Sequence, residues 1–145
     1  MEVKIRDIDR STWNKCCNLK VAPNQQEFVA LNSYSLAQAA YEPDTYPMGI
    51  FCDDEMVGFL MWGFDIDTGV WEMCRLMIDE NHQSKGVGKA AVQQLMDLVR
   101  NKLGHIMFYT STDPNNTVAI SLYEKMGFRK NGRFLYDEIM LETQL

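Results

Sequence analysis

The sequence predicts an α/β fold of the α+β type, with a mixed, mostly antiparallel sheet of six to seven strands flanked by about four helices. Short apolar runs separated by acidic or glycine-containing turns fill the middle of the chain, as in β-hairpins. A later amphipathic segment lies between two strand-like runs and predicts a crossover helix. The length of 145 residues, with no repeat or linker, predicts one domain over residues 1–145.

The first 41 residues are predicted to form one strand and two helices. Residues 2–8 alternate between polar and apolar side chains, which indicates a strand rather than a signal peptide. A helix follows, with apolar residues at Trp13, Cys16, Cys17 and Val21. A second helix is predicted over residues 33–41.

Three strands are predicted in the middle of the chain. Apolar runs at residues 49–52 and 57–64 enclose the acidic tripeptide at 53–55, which is typical of a hairpin turn. A second turn is predicted over residues 65–69, and residues 70–78 form the third apolar run.

The last third is predicted to alternate between helices and strands. A helix is predicted to end at Gly104, which suits a C-cap. Its apolar residues recur with helical periodicity: Ala91, Val92, Leu95, Met96, Val99 and Leu103. A strand is predicted over residues 106–110, and Asn115 or Asn116 suits the N-cap of another helix. Residues 134–141 are predicted to form a single last strand.

Composition narrows the classes of function. The net charge of −6 makes nucleic acid a poor partner and suits a small cationic substrate better. No apolar stretch approaches the ~18 residues that a membrane span needs. Two histidines and four cysteines without a CxxC pair suit neither a metal site nor a disulfide framework, so we expect a cytoplasmic protein without metal.

A glycine-containing loop precedes the long helix. Glycines at 86 and 88 let the backbone approach a ligand, and the free N–H groups and dipole of a helix start favour a phosphate. Lys85 and Lys89 would add positive charge. The loop matches neither the G-x-x-x-x-G-K-[ST] nor the G-x-G-x-x-G phosphate motif. Taken alone, the two glycines are explained equally well by a tight strand-to-helix turn.

Two motifs together resemble the GCN5-related N-acetyltransferase (GNAT) family. Gln83-x-x-Gly86-x-Gly88 resembles the family's R/Q-x-x-G-x-G/A motif. A second signature resembles the segment that begins at Asn116 and continues through Ala119, Leu122, Tyr123, Lys125, Gly127 and Phe128. The order of elements agrees with the family over nearly the whole chain.

The resemblance implies a sheet that splays between its fourth and fifth strands and binds acetyl-CoA there. It implies that backbone near Leu76, Met77 and Ile78 pairs with the pantetheine arm, and that Asn116 meets the cofactor from the other side. The implied pyrophosphate site consists of Gln83, Ser84, Lys85, Gly86, Val87, Gly88 and Lys89.

The resemblance also implies catalytic roles. Tyr123 matches the family's general acid, which protonates the departing thiolate, although the same ring would also suit packing on an apolar helix face. Cys74 occupies the position where polyamine-acetylating relatives carry a carboxylate, so Glu72, two residues earlier, is the nearest substitute for a base. Glu72 equally suits binding of a cationic substrate, or no role at all. We expect Cys74 to be a small buried residue rather than a nucleophile.

Further segments resemble the bacterial spermine/spermidine acetyltransferases within that family, notably residues 21–29, 35–39, 47–61 and 75–79. The resemblance therefore implies a polyamine substrate, with Glu42, Asp44 and Glu72 as candidate binding carboxylates, and suggests a homodimer. Two alternatives stay open: another acceptor, such as a different small amine, an aminoglycoside or a protein N-terminus, or an acetyl-CoA-binding sensor without turnover.

Overall fold

The computed structural model describes residues 2–145, so Met1 of the predicted domain lies outside the described residues. Over this range the chain forms seven strands: β1 (Val3–Asp7), β2 (Thr45–Cys52), β3 (Glu55–Asp65), β4 (Val70–Ile78), β5 (Met107–Thr112), β6 (Arg129–Leu135) and β7 (Glu138–Gln144). It also forms four α-helices: α1 (Trp13–Asn18), α2 (Asn32–Tyr41), α3 (Val87–Leu103) and α4 (Thr117–Lys125). Short 3₁₀ turns occupy Pro23–Phe28 and Glu80–His82.

The seven strands form one mixed sheet in the order β1-β2-β3-β4-β5-β7-β6. Neighbouring strands are antiparallel except β4 and β5, which are parallel and joined by the crossover through α3. The predicted fold class, a mostly antiparallel mixed sheet flanked by four helices, is therefore confirmed.

The turn between β2 and β3 contains two residues, Asp53 and Asp54, both with positive φ (47° and 73°). Aspartate tolerates this left-handed conformation, and such turns match the twist of antiparallel strands. The predicted hairpin is confirmed, although Glu55 already belongs to β3.

The prediction of a single strand over residues 134–141 is wrong. The chain turns at Tyr136 (φ 54°) and Asp137, so that β6 and β7 form an antiparallel hairpin with Leu135 opposite Glu138. The turn lacks the glycine or Asn-Gly pair that usually marks so tight a reversal, and the run therefore looked continuous. The first helix is also shorter than predicted, because it ends at Asn18 and leaves Val21 beyond it.

Helices cover the sheet on both faces. The buried side of α3, which includes Val92, Leu95 and Val99, packs with Phe108 and Phe128 on one face, where α4 also lies. On the opposite face, a second cluster joins residues in and after α1 to the sheet: Cys16, Leu19 and Val21 with Phe51, Met56, Phe59, Met61 and Met77. Within residues 2–145, no helix has the length and apolar character to span a membrane.

Strands β4 and β5 part soon after they meet. In the described part of the chain their paired residues are Glu72 with Tyr109 and Met73 with Thr110. The rest of β4 stays paired with β3. Met61 is opposite Arg75 and the next residue, Trp62, is opposite Met73, so Cys74 has no partner and forms a β-bulge. The predicted splay between the fourth and fifth strands is thus present.

Candidate active site

A cavity of about 610 Å³ opens where β4 and β5 part. One wall comes from the face of α3 and α4 and the other from the segment around Gln25, Phe28 and Val29 beyond α1, so the cavity passes through the sheet. Its volume and largely pre-formed walls are typical of small-molecule sites. The parting of the two strands therefore creates a candidate binding site with two distinct ends.

The β4 side of the cavity presents backbone as well as side chains. Leu76, Met77 and Ile78 all line the cavity, as their predicted role requires. Since β5 has already diverged, the edge of β4 that faces it is free to pair with an extended ligand, as in β-strand addition.

At one end of the cavity, Gly86 shapes the start of α3. It is the N-cap residue and has a left-handed backbone (φ 79°), which an L side chain would strain. A Cβ built there would contact nothing within 4 Å, so the glycine is required by its backbone and not by crowding. No side chain caps α3, and its first N–H groups are therefore available to an anion.

Gly88, by contrast, is not required by its backbone. A Cβ there would lie at ordinary contact distances, 3.6 Å from Leu122 Cδ2 and 3.8 Å from Ile78 Cγ1. Gly88 also lines the cavity, so an added methyl group would occupy space beside any bound ligand. The fold tolerates alanine at this position, whereas a ligand lying close to the backbone would not.

Gln83 supports the loop from within. Its side-chain amide donates to the backbone carbonyl of Ile78 at 2.9 Å and to Gln25 Oε1 at 2.7 Å. It therefore ties the loop to the end of β4 and to the Pro23–Phe28 turn. The structure brings most of the predicted loop residues to the cavity wall, namely Gln83, Ser84, Gly86, Val87, Gly88 and Lys89, while Lys85 lies exposed beside them.

Asn116 lies on the α4 side of the cavity. It is the N-cap of α4, and its Oδ1 accepts a hydrogen bond from the Ala119 N–H at 3.2 Å. Of the two predicted caps, Asn116 rather than Asn115 is thus the one used. Asn116 also lines the cavity, as its predicted contact with the cofactor requires.

Tyr123 is buried in α4 and lines the cavity, with its ring 5.8 Å from that of Phe128. Burial raises the pKa of Tyr123 to about 12, the nearby charge of Glu138 adds to the rise, and the Thr110 hydroxyl opposes it. The phenol is therefore protonated at neutral pH. Its ring packs in the core while the residue reaches the cavity, so the packing and proton-donor interpretations are compatible.

Glu72 lies on β4 opposite Gly63, one residue before the cavity wall begins at Met73. Burial raises the pKa of Glu72 to about 7; the charges of Asp65 and Glu138 add to the rise, and Arg75 opposes it. A carboxyl that titrates near neutrality is suited to accepting a proton from an amine.

Cys74 lines the cavity, half-buried, and its thiol donates to the Met61 carbonyl at 3.5 Å. Burial raises the pKa of Cys74 to about 12, so the thiol stays protonated at neutral pH and is a poor nucleophile.

The structure does not bring Glu42 and Asp44 to the cavity. Both are exposed between α2 and β2, where Asp44 Oδ1 accepts a hydrogen bond from the Tyr46 hydroxyl at 3.1 Å. Their part in substrate binding stays a prediction. Among residues 2–145, no three His, Cys, Asp or Glu side chains are grouped to hold a metal ion.

Among the cavity residues that the sequence analysis missed, Glu138 and Arg75 carry charged side chains. Glu138, at the start of β7, lines the cavity, but its position depends on the hairpin that was read as one strand. The available signal was the apolar run from Ile139 to Leu141 between Glu138 and Glu142, which is typical of a separate short strand. Arg75 also lines it and attaches β4 to α2, with bonds of 3.1 Å to Ser35 Oγ and 3.0 Å to Gln38 Oε1.

Comparison with known proteins agrees with this geometry. Residues 4–128 match the family described as the Acetyltransferase (GNAT) family. The chain is 32% identical over 143 residues to a spermine/spermidine N(1)-acetyltransferase of Bacillus subtilis, covering 91% of each chain. It is 32% identical over 71 residues to an aminoglycoside N(6')-acetyltransferase of Klebsiella pneumoniae, covering 49% of this chain and 35% of that protein.

A solved structure shares the fold at low identity. Spermidine N-acetyltransferase from Vibrio cholerae, in complex with CoA and spermine, matches with a TM-score of 0.77 and 15% identity, over 98% of this chain and 95% of that one. At that identity the likeness concerns the fold alone.

Proposed function

Because the chain belongs to the GNAT family of acetyltransferases, we propose that it transfers the acetyl group of acetyl-CoA to a primary amine of a polyamine such as spermidine or spermine. The observation that carries the proposal is the cavity that passes through the sheet, with an anion-accepting helix start at one end and carboxylates near the other.

The donor end fits acetyl-CoA. The N–H groups at the start of α3, beside Gly86 and Gly88, suit its pyrophosphate, and Lys89 supplies positive charge. The free edge of β4 suits the amide-containing pantetheine arm. Acetyl-CoA supplies an acetyl thioester whose carbonyl carbon is open to attack by an amine.

Tyr123 is the proposed proton donor to the leaving thiolate. Its raised pKa keeps the phenol protonated throughout the neutral range. Burial opposes the phenolate, so the proton returns to Tyr123 readily between turnovers. Tyr123 lines the cavity, and the contact between its ring and that of Phe128 restricts the position of the phenol group.

Glu72 is the proposed base. An alkylammonium has a pKa near ~10 and must lose a proton before it attacks. The Glu72 carboxyl, with its pKa raised to about 7, is ionised above neutrality and basic enough to take that proton, directly or through water. Cys74, whose thiol stays protonated, takes no part in this step.

A polyamine acceptor is supported by charge and by the relatives. The net charge of −6 favours cationic substrates. The Bacillus subtilis relative that covers 91% of this chain is a spermine/spermidine acetyltransferase. A cytoplasmic location and a homodimer, both expected from the sequence, belong to the same proposal.

The test is an acetyl-CoA consumption assay with a panel of spermidine, spermine, a diamine, an aminoglycoside and a peptide with a free N-terminus. We expect turnover with spermidine and spermine and little with the others. Turnover with another amine alone would overturn the polyamine assignment. Binding of acetyl-CoA without acetylation of any amine would support the alternative of a sensor module.

An aminoglycoside acceptor is the second candidate. The match to the Klebsiella pneumoniae enzyme favours it, but that match covers only 49% of this chain, whereas the polyamine relative covers 91%. The same panel distinguishes the two.

A further inference from the structure

Glu138 is the one carboxylate among the described residues that line the cavity. It is half-buried at the first position of β7, and Ser111 Oγ of the neighbouring strand donates to its Oε1 at 2.9 Å. That bond leaves the second carboxylate oxygen available. No Lys, Arg or His of residues 2–145 lies within 4 Å of it as an ion-pair partner.

Strand alternation gives the side of the sheet on which Glu138 lies. Ile139 and Leu141 pack into the core under α3 and α4, so Glu138 faces the opposite side. Glu72 lies on that side too, since it is opposite Gly63, two residues from the Met61 of the α1-side core. The two carboxylates therefore share the face from which an acceptor would approach.

The negative charge of Glu138 acts on both proposed catalytic groups, Tyr123 and Glu72. It contributes to the raised pKa of Tyr123 on one side and to that of Glu72 on the other. The remaining charged groups that act on Glu72 are Asp65 at the end of β3 and Arg75 on β4. Glu138 is therefore close to both the proposed proton donor and the proposed base.

The cations that line the cavity are engaged or lie at its other end. Arg75 is bound to Ser35, Gln38 and the Cys74 carbonyl. Lys89 is in the first turn of α3, at the end proposed for phosphate. A carboxylate with a free oxygen and no cation beside it is suited to receiving an ammonium group from the ligand.

We propose that Glu138, on β7, binds the reacting ammonium group of the acceptor amine. This inference rests on the proposed function, because it assumes a cationic amine acceptor. Glu138 holds the amine close to Glu72 and Tyr123, and the hydrogen bond from Ser111 fixes the direction of its carboxylate.

The test compares Glu138→Gln with a matched control, Glu142→Gln. Glu142 lies four residues along the same strand and on the same face, but its carboxylate is bound by Asn131 Nδ2 at 2.8 Å and lies away from the cavity. For each protein we would measure KM and kcat for spermidine, the Kd of spermidine by calorimetry with CoA bound, and the Kd of acetyl-CoA alone.

We expect Glu138→Gln to raise the KM and Kd for spermidine at least tenfold while the Kd of acetyl-CoA changes less than twofold. Glu142→Gln should leave all three values within twofold. Ser111→Ala keeps the Glu138 carboxylate but removes the hydrogen bond that orients it, so KM for spermidine should rise by a smaller factor. This variant tests the inference if Glu138→Gln folds poorly.

An unchanged spermidine Kd in folded Glu138→Gln would overturn the inference even if the wild-type protein acetylates spermidine. A wild-type protein that binds acetyl-CoA but neither binds nor acetylates spermidine would overturn the polyamine proposal together with it. The calorimetric Kd separates the two failures because it does not depend on turnover.

Discussion

The two ends of the cavity are built by different means. The end proposed for the acetyl donor, called the donor end, is made largely of backbone: a short loop, a left-handed Gly86 and the free N–H groups of α3. The other end, which we propose for the acceptor, is made of side chains: Ser111 of β5 and Glu138 of β7 line it, and Glu72 of β4 lies next to it. The backbone end depends on residues close together in the sequence, such as Gly86 and Gly88, whereas the side-chain end depends on distant strands pairing in the right register.

The comparison suggests how each end changes in evolution. Substitutions at the donor end act through glycine geometry and would damage binding of the shared donor. Substitutions at the acceptor end exchange one side chain for another on a fixed sheet, so acceptor choice is free to vary while the donor site is kept.

The largest expected effect is at Tyr123, where the two ends meet. Tyr123→Phe removes the proposed proton donor but keeps the ring beside Phe128, so kcat should fall by roughly 10²- to 10⁴-fold, the usual contribution of a general acid. The Kd of acetyl-CoA should change little. A kcat within threefold of wild type would assign Tyr123 to packing alone.

Glu72→Gln should lower kcat/KM by about 10- to 100-fold at pH 8. For the wild type, kcat/KM should rise with pH through an apparent pKa of about 7 as Glu72 ionises, and this acid limb should vanish in the variant. If kcat/KM of Glu72→Gln still rose with pH through an apparent pKa of about 7, a group other than Glu72 would be responsible for that rise.

The same carboxyl should affect stability. Because its pKa is raised from 4.5 to about 7 in the folded protein, the folded state binds this proton more tightly than the unfolded chain. The free energy of unfolding should therefore fall as pH rises from about 4.5 to about 7, by up to about 3 kcal/mol. Urea unfolding at pH 5 and pH 8 should show a smaller fall in Glu72→Gln.

The two glycines of the loop allow a matched test of the donor end. Gly88→Ala should weaken acetyl-CoA binding about tenfold and leave stability unchanged or slightly raised, because alanine fits the protein there. Gly86→Ala should lower stability by about 1 kcal/mol through its left-handed backbone. Calorimetry and thermal unfolding measure the two effects, and equal acetyl-CoA affinity in wild type and Gly88→Ala would argue against a close backbone approach.

The smallest effect is expected at the exposed carboxylates before β2. The double substitution Glu42→Gln with Asp44→Asn should raise KM for spermidine less than about threefold, because exposed charges contribute at most about 1 kcal/mol. A rise of tenfold or more would extend the acceptor site to this loop. Measuring KM at low salt and at about 0.3 M salt would show how much of any change comes from long-range electrostatic attraction of the substrate, because salt screens it.

The fold, and the placement of the glycine loop at the start of α3, were largely predictable from sequence for physical reasons. The apolar residues from Ala91 to Val99 recur with helical periodicity. Gly104 is the C-cap of α3, and its backbone N–H donates to the Arg100 carbonyl at 2.8 Å. The acidic turn at Asp53 and Asp54 was equally local. These features depend on neighbouring residues, so a single sequence contains the information.

The acceptor end was less predictable because its geometry is not local. The reversal at Tyr136 carries no glycine, and without it Glu138 is not placed beside Ser111. Gln83 also does more than its motif suggested, since its amide bonds to Ile78 and Gln25 and supports the loop. Such roles depend on pairs of residues up to 58 positions apart.

The short seam between β4 and β5 has a consequence for local opening. Two residue pairs, reinforced by the Thr110 hydroxyl bonded to the Met73 carbonyl at 2.9 Å, join the four strands on one side to the three on the other. Amide protons along β4 beyond this seam that face β5 should exchange with solvent quickly in the free protein and slowly once a ligand fills the gap. Hydrogen exchange at individual β4 amides would then report ligand binding directly, without a measurement of turnover.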